Sequence, residues 1–123
     1  MGRVASEFML EKIMERIKTF EEFWPYYVKE HRVPLTRLLH FIGTTIGGLL
    51  LIVCVATGKG RLIPFAFLTG YAFAWCSHFF IEKNRPATFK YPLWSFRADW
   101  KMWGLMLRGS MGREIARTNE SWK

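Results

Sequence analysis

Cysteine is scarce, with two residues in 123, and acidic residues number ten against eighteen Lys and Arg. Two cysteines cannot make a disulfide framework. Cys54 and Cys76 lie 5 and 17 residues from Lys59, so on the arms of a hairpin turning there they differ in depth by about 18 Å at about 1.5 Å per helical residue, too far for a bridge. There is no Cys-x-x-Cys pair and no phosphate-cradling glycine loop, and Ser77 beside His78 cannot by adjacency pair a nucleophile with its base. From Gly2 to Glu22 charge recurs without an uninterrupted apolar run, so no cleavable signal peptide is expected and the apolar spans serve as the address. Histidine is equally sparse, at three residues: His31, His40 and His78.

Half of the residues are hydrophobic and 17% aromatic, while 23% are charged. The two classes are segregated along the chain. Leu38 to Thr57 and Leu62 to Ile81 are each 20 residues without a formal charge, long enough to cross a bilayer as helices. Gly58-Lys59-Gly60-Arg61 joins them as a short turn. The competing reading, a buried helical pair in a soluble bundle, draws on Gly43, Gly47, Gly48 and Pro64, which dilute the hydropathy; small residues nonetheless suit close-packed membrane helices. Lys and Arg divide as seven before the first span, two in the turn and nine after the second. The positive-inside rule then puts both termini in the cytoplasm, in the inner membrane of a bacterium or the endoplasmic reticulum of a eukaryote. The expected fold is all-α: one membrane domain over residues 1-123, a helical hairpin flanked by an N-terminal amphipathic helix and a C-terminal interfacial helix.

The amphipathic helix is expected from Ser6 to about Phe23, where Phe8, Leu10, Ile13, Met14, Ile17 and Phe20 recur at helical spacing. Pro25 is expected to interrupt it, and Trp24, Tyr26 and Tyr27 to anchor at the headgroups. After Glu82 the chain turns basic and aromatic. A tryptophan-rich interfacial helix fits about Ser95 to Leu107, because Arg97, Asp99 and Lys101 disfavour a third span. A mobile polar tail is expected over about 110-123. The formal charge of +8 flanks apolar spans with no recognition module, which argues against nucleic acid and for membrane lipid.

His40 lies 19 residues before Lys59 and His78 lies 19 after it, so a hairpin brings both rings to one depth. Glu82 follows His78 by four residues, on the same helical face. His31, upstream of the break at Pro34, can fold over the same layer. Imidazoles plus a carboxylate, with positions left for oxygen and substrate, form a ligand set of non-haem Fe(II) oxygenases. Two histidines at one depth can also hold a haem axially, and a lipid-binding or scaffold protein could use the rings structurally. His-x-x-x-Glu is also an ordinary polar pair at a helix end.

Tyr27-x-x-x-His31-x-x-Pro34 with His40, followed by Trp75-Cys76-Ser77-His78-Phe79-Phe80-Ile81-Glu82-Lys83-Asn84-Arg85-Pro86-Ala87, resembles the 2-hydroxy fatty acid dioxygenase family best known from fungi. The resemblance covers about residues 20 to 103. It implies an Fe(II)-dependent dioxygenase that shortens 2-hydroxy fatty acids by one carbon in an α-oxidation, with O₂ as co-substrate. By the same resemblance His31, His40 and His78 are the metal-binding histidines and Glu82 the matching acidic position; Glu30 is an extra neighbour in this chain, a carboxylate that the fungal members do not keep. Glu82, Lys83 and Arg85 are the candidate catalytic residues, the two cations suited to neutralising a substrate carboxylate. The fungal members carry an additional hydrophobic hairpin between the two motif blocks, where this chain has a four-residue turn. A homo-oligomer would supply the missing walls.

Overall fold

The computed structural model describes residues 17–120, and these are helical without strands. The first helix, α1 (Phe20–Lys29), starts at Thr19, whose hydroxyl accepts from the Glu22 amide at 3.2 Å. The expected amphipathic helix from Ser6 falls mostly outside the described residues. Pro25 sits inside α1 rather than interrupting it. Its missing N–H would have bonded the carbonyl of Glu21, in the first turn, where the loss and the ring clash are easiest to absorb.

Pro34 opens α2 (Pro34–Ala56), pre-set for the first helical turn. Residues 57–59 turn the chain, with Gly58 at φ +71°. A 3₁₀ turn (Gly60–Leu62) leads into α3 (Ile63–Ser77), which continues as a π-helical turn over His78–Glu82. The two apolar helices therefore run from Pro34 to Ala56 and from Gly60 to Glu82, 23 residues each. Only 17% and 22% of their most apolar windows are buried inside the protein. A core helix of a soluble protein would be mostly covered, whereas Leu49, Ile52, Val53, Val55, Phe65 and Leu68 are each more than half exposed. A continuous apolar surface of this kind fits lipid rather than water.

The hairpin closes on glycine. A Cβ on Gly43 would stand 2.7 Å from the carbonyl oxygen of Gly70, and one on Gly47 3.3 Å from the Gly70 Cα. Backbones this close admit no side chain between them. Cys54 is buried, Cys76 exposed, and neither is paired.

After the π-helical turn and a 3₁₀ turn (Ala87–Phe89), α4 (Pro92–Leu107) returns along the hairpin, and α5 (Met111–Glu120) follows. The polar tail expected from about residue 110 is thus a helix through Glu120. Met111 and Thr118 are buried on one face of it, and Glu114 accepts from the indole of Trp24 at 2.6 Å. Phe20, Phe23, Trp24, Tyr26 and Tyr27 form a core with Ala98, Met102 and Met111 instead of anchoring at headgroups. The basic face of α4 is accommodated through those rings: the Arg97 guanidinium lies 4.0 Å over Phe20 and the Lys101 ammonium 4.3 Å over Trp24.

Candidate metal centre

Three elements deliver the three histidines. His31 lies just past the end of α1, His40 on α2, and His78 where α3 widens into its π-helical turn. All three are buried. Their rings pack edge to face, with centroids 4.3 Å (His31 to His40), 4.5 Å (His31 to His78) and 5.0 Å (His40 to His78) apart. The equal spacing of His40 and His78 from Lys59 is realised as contact.

The hydrogen bonds fix which nitrogen of each ring faces inward. His31 Nδ1 bonds the Tyr27 carbonyl at 2.6 Å, His40 Nδ1 the Thr36 carbonyl at 3.0 Å, and His78 Nδ1 the Asn84 side-chain oxygen at 2.7 Å. Each acceptor demands a proton on Nδ1, so each neutral ring keeps its lone pair on Nε2. Those Nε2 atoms converge: His31 stands 3.0 Å from both His40 and His78. Three lone pairs at such distances have no donor among themselves and repel until a cation takes the point between them. Two ligands about 2.1 Å from one ion and at right angles to each other stand about 3.0 Å apart, so the donor set fits a metal. Burial and the two neighbouring imidazoles hold His31 well below its ordinary pKa, which keeps it the neutral ligand a metal requires.

Around the rings lies a supporting layer. Tyr27 stacks on His31 at 4.0 Å, and its hydroxyl donates a short hydrogen bond to Asp99. Burial pushes the Asp99 carboxyl up to about 7, against the lowering effect of that bond. Asn84 donates to the Glu30 carboxylate, so His78, Asn84 and Glu30 form one chain of hydrogen bonds. Burial, with Glu82 adding, raises Glu30 to about 7. Lys83 adopts φ +58°, turning the backbone so that the Asn84 amide returns to the His78 carbonyl at 3.0 Å.

Glu82 is placed differently from the histidines. Its carboxylate accepts from the Val33 amide at 2.8 Å and faces Arg32 at 3.8 Å. Among the described residues, the group whose ligand atoms converge is His31, His40 and His78 alone. Lys83 and Arg85 are exposed, and neither lines the cavity at the histidines. Sequence reasoning missed Asn84, Asp99 and Ser95 as site residues, and read Tyr27 as a headgroup anchor rather than as the ring stacked on His31. Asn84 sat unassigned within the His78 to Ala87 string, although an asparagine just past a helix end is a recognisable signal.

No curated protein and no solved structure matches this chain. A family model described as 2-hydroxy-palmitic acid dioxygenase Mpo1-like matches residues 17–111, which include all three histidines and their partners. The chain, with its histidine triad set at one end of an apolar hairpin, belongs to the Mpo1-like family.

Proposed function

We propose that this protein is an Fe(II)-dependent dioxygenase that shortens 2-hydroxy fatty acids by one carbon. The observation that carries the reading is the convergence of three Nε2 lone pairs, each fixed by a hydrogen bond at the opposite ring nitrogen. The family description supplies the substrate class and the kind of reaction.

His31, His40 and His78 would hold the ion. When bound, iron would supply the redox chemistry with dioxygen and bind the hydroxyl and carboxylate of the substrate. The chain itself does the rest. The carbonyls of Tyr27 and Thr36 and the amide of Asn84 hold the imidazole protons at Nδ1 and thereby aim the rings. Burial of the cluster excludes bulk water. Glu82 ties the end of the second apolar helix to Val33, just before the first, which fixes His78 against His40. Lys83 and Arg85, exposed on the turn beyond His78, draw an anionic headgroup to the interface without touching it at the rings. The excess of Lys and Arg outside the spans supports a cytoplasmic position for that interface and for both termini. A porphyrin between His40 and His78 is disfavoured, because ring centroids 5.0 Å apart leave no slot for it.

Elemental analysis of anaerobically purified protein, beside His40→Ala and His78→Ala, tests the site. The expected result is near-stoichiometric iron that both substitutions remove, with oxygen-dependent loss of one carbon from 2-hydroxy acids. Wild type that resists Fe(II) reconstitution overturns the reading in favour of a lipid-binding or scaffold role.

A further inference from the structure

A second cavity lies beside the histidines, between α2, α3 and α4, and encloses about 430 Å³ counting its open side. Its walls follow from the helical registers that also carry the ligands. On α2, His40, Gly43, Gly47 and Leu51 recur at intervals of three and four residues, and on α3 Ala66, Gly70, Ala74 and His78 recur at four. Each series lies on one helical face. The face that ends in a histidine therefore continues as an uncharged strip into the apolar part of the hairpin, about 12 Å from Gly43 to Leu51. The outer wall is aromatic: Phe67 and Phe96 meet across it at 5.8 Å, and the rim of Trp100 occupies the space over Gly48.

Close approach of α2 and α3 alone explains the glycines. Two other observations point to a ligand. Asp99 lines both this groove and the small cavity at the histidines, so the two adjoin at its side chain. Ser95, one turn before Asp99, is buried with its hydroxyl unpartnered among the described residues. Thr36 and Trp75 also carry buried polar atoms without a partner, but of the three only Ser95 lines the histidine cavity. A buried hydroxyl with no partner costs about 1 to 3 kcal/mol, a cost removed when a polar group enters that cavity.

We infer that the groove is the acyl site, holding the unbranched alkyl chain of a 2-hydroxy acid whose carboxyl end reaches the Ser95 hydroxyl beside the three histidines. The inference rests on the dioxygenase reading for the identity of the head group. The groove's one polar end adjoins the histidines, and its apolar end points along the spans toward the bilayer centre. A single-chain amphiphile matches both ends.

The probe is a saturated 2-hydroxy acid carrying a diazirine at mid-chain, added anaerobically to the iron-loaded full chain in phosphatidylcholine nanodiscs and illuminated. Adducts are expected on Thr44, Leu51, Phe96 and Trp100, and unlabelled 2-hydroxy acid should suppress them while leaving labelling of the outward-facing Ile52, Val55 and Phe65 unchanged. Leu51→Trp should remove the groove adducts with iron content retained. Ser95→Ala should raise the concentration of competitor needed by about tenfold, the loss of one hydrogen bond to a charged group. Even labelling of groove and outer faces, or competition that neither variant alters, overturns the inference. Substrate turnover without groove adducts refutes the groove and leaves the dioxygenase reading standing. Competable groove adducts without turnover do the reverse.

Discussion

Replacing Asn84 by leucine isolates the contribution of aim from that of ligation. The side chain of Asn84 touches no lone pair of the triad; it accepts from His78 Nδ1 at 2.7 Å and donates to Glu30. Leucine, which keeps the branched skeleton, removes these bonds. The His78 N–H is then left without its acceptor, a loss of about 1 to 3 kcal/mol. The ring can recover that loss by moving its proton to Nε2, which destroys it as a ligand, or by rotating, which misdirects it. Supporting partners of metal-bound histidines are worth about 10- to 100-fold in affinity, the same range expressed as about 1.4 to 2.7 kcal/mol. Chelator competition against Fe(II), or against Co(II) as an optical reporter, should show affinity weakened by that factor. The thermal midpoint of the metal-free protein should fall only modestly, since Asn84 is half-buried at a turn. A variant that binds metal as tightly as wild type, with an unchanged Co(II) spectrum, would refute the argument that Asn84 fixes the tautomer.

Three further outcomes follow from the packing and the electrostatics. Gly43→Val should destabilise the hairpin by about 1 to 3 kcal/mol or more, because its Cβ would meet the Gly70 carbonyl at 2.7 Å and the Phe73 Cβ at 2.8 Å, whereas Gly104→Ala, with open space around its Cβ, should leave stability unchanged or raise it by up to about 1 kcal/mol; denaturation in mild detergent compares them. Asp99 keeps its proton more tightly in the folded protein, with a pKa of about 7 against an ordinary 3.8. Its contribution to stability is therefore fully present below about 3.8 and declines as the pH rises toward 7; thermal midpoints of the metal-free protein should show a shallower decline in Asp99→Asn, and an unchanged slope counts against a buried Asp99. Trp24→Phe removes the bond to Glu114, worth about 1 to 2 kcal/mol, and limited proteolysis should then cut within α5 sooner than in wild type.

The hairpin was legible because two uncharged runs of spanning length flank a glycine-rich turn, and the meeting of His40 with His78 because both lie 19 residues from Lys59. Such regularities survive folding when helices are straight and antiparallel. What interrupted regularity was hidden. The π-helical turn at His78–Glu82 and the left-handed Lys83 redirect the chain, and Glu82, expected by helical spacing on the face of His78, takes the Val33 amide. The aromatic run of α1 reads as headgroup anchors by composition, since nothing local reveals that α4 and α5 cover it. Asp99 argued correctly against a third span, but its charge concealed that its carboxyl turns inward to Tyr27. The helix in place of a tail was missed because one polar decapeptide hides a narrow seam of Met111, Ile115 and Thr118.

His31 belongs to neither arm of the hairpin. It is held over His40 and His78 by α1, and α1 is in turn clasped by α4 and by the Trp24 bond into α5. A ribosome extending the chain therefore delivers two of the three histidines early and His78 only with the second span, and the clamp that seats His31 emerges last. A chain interrupted after the hairpin would hold all three residues without the means to gather them. A metal taken by the triad would on this account be captured late in maturation, once α4 and α5 have closed on α1.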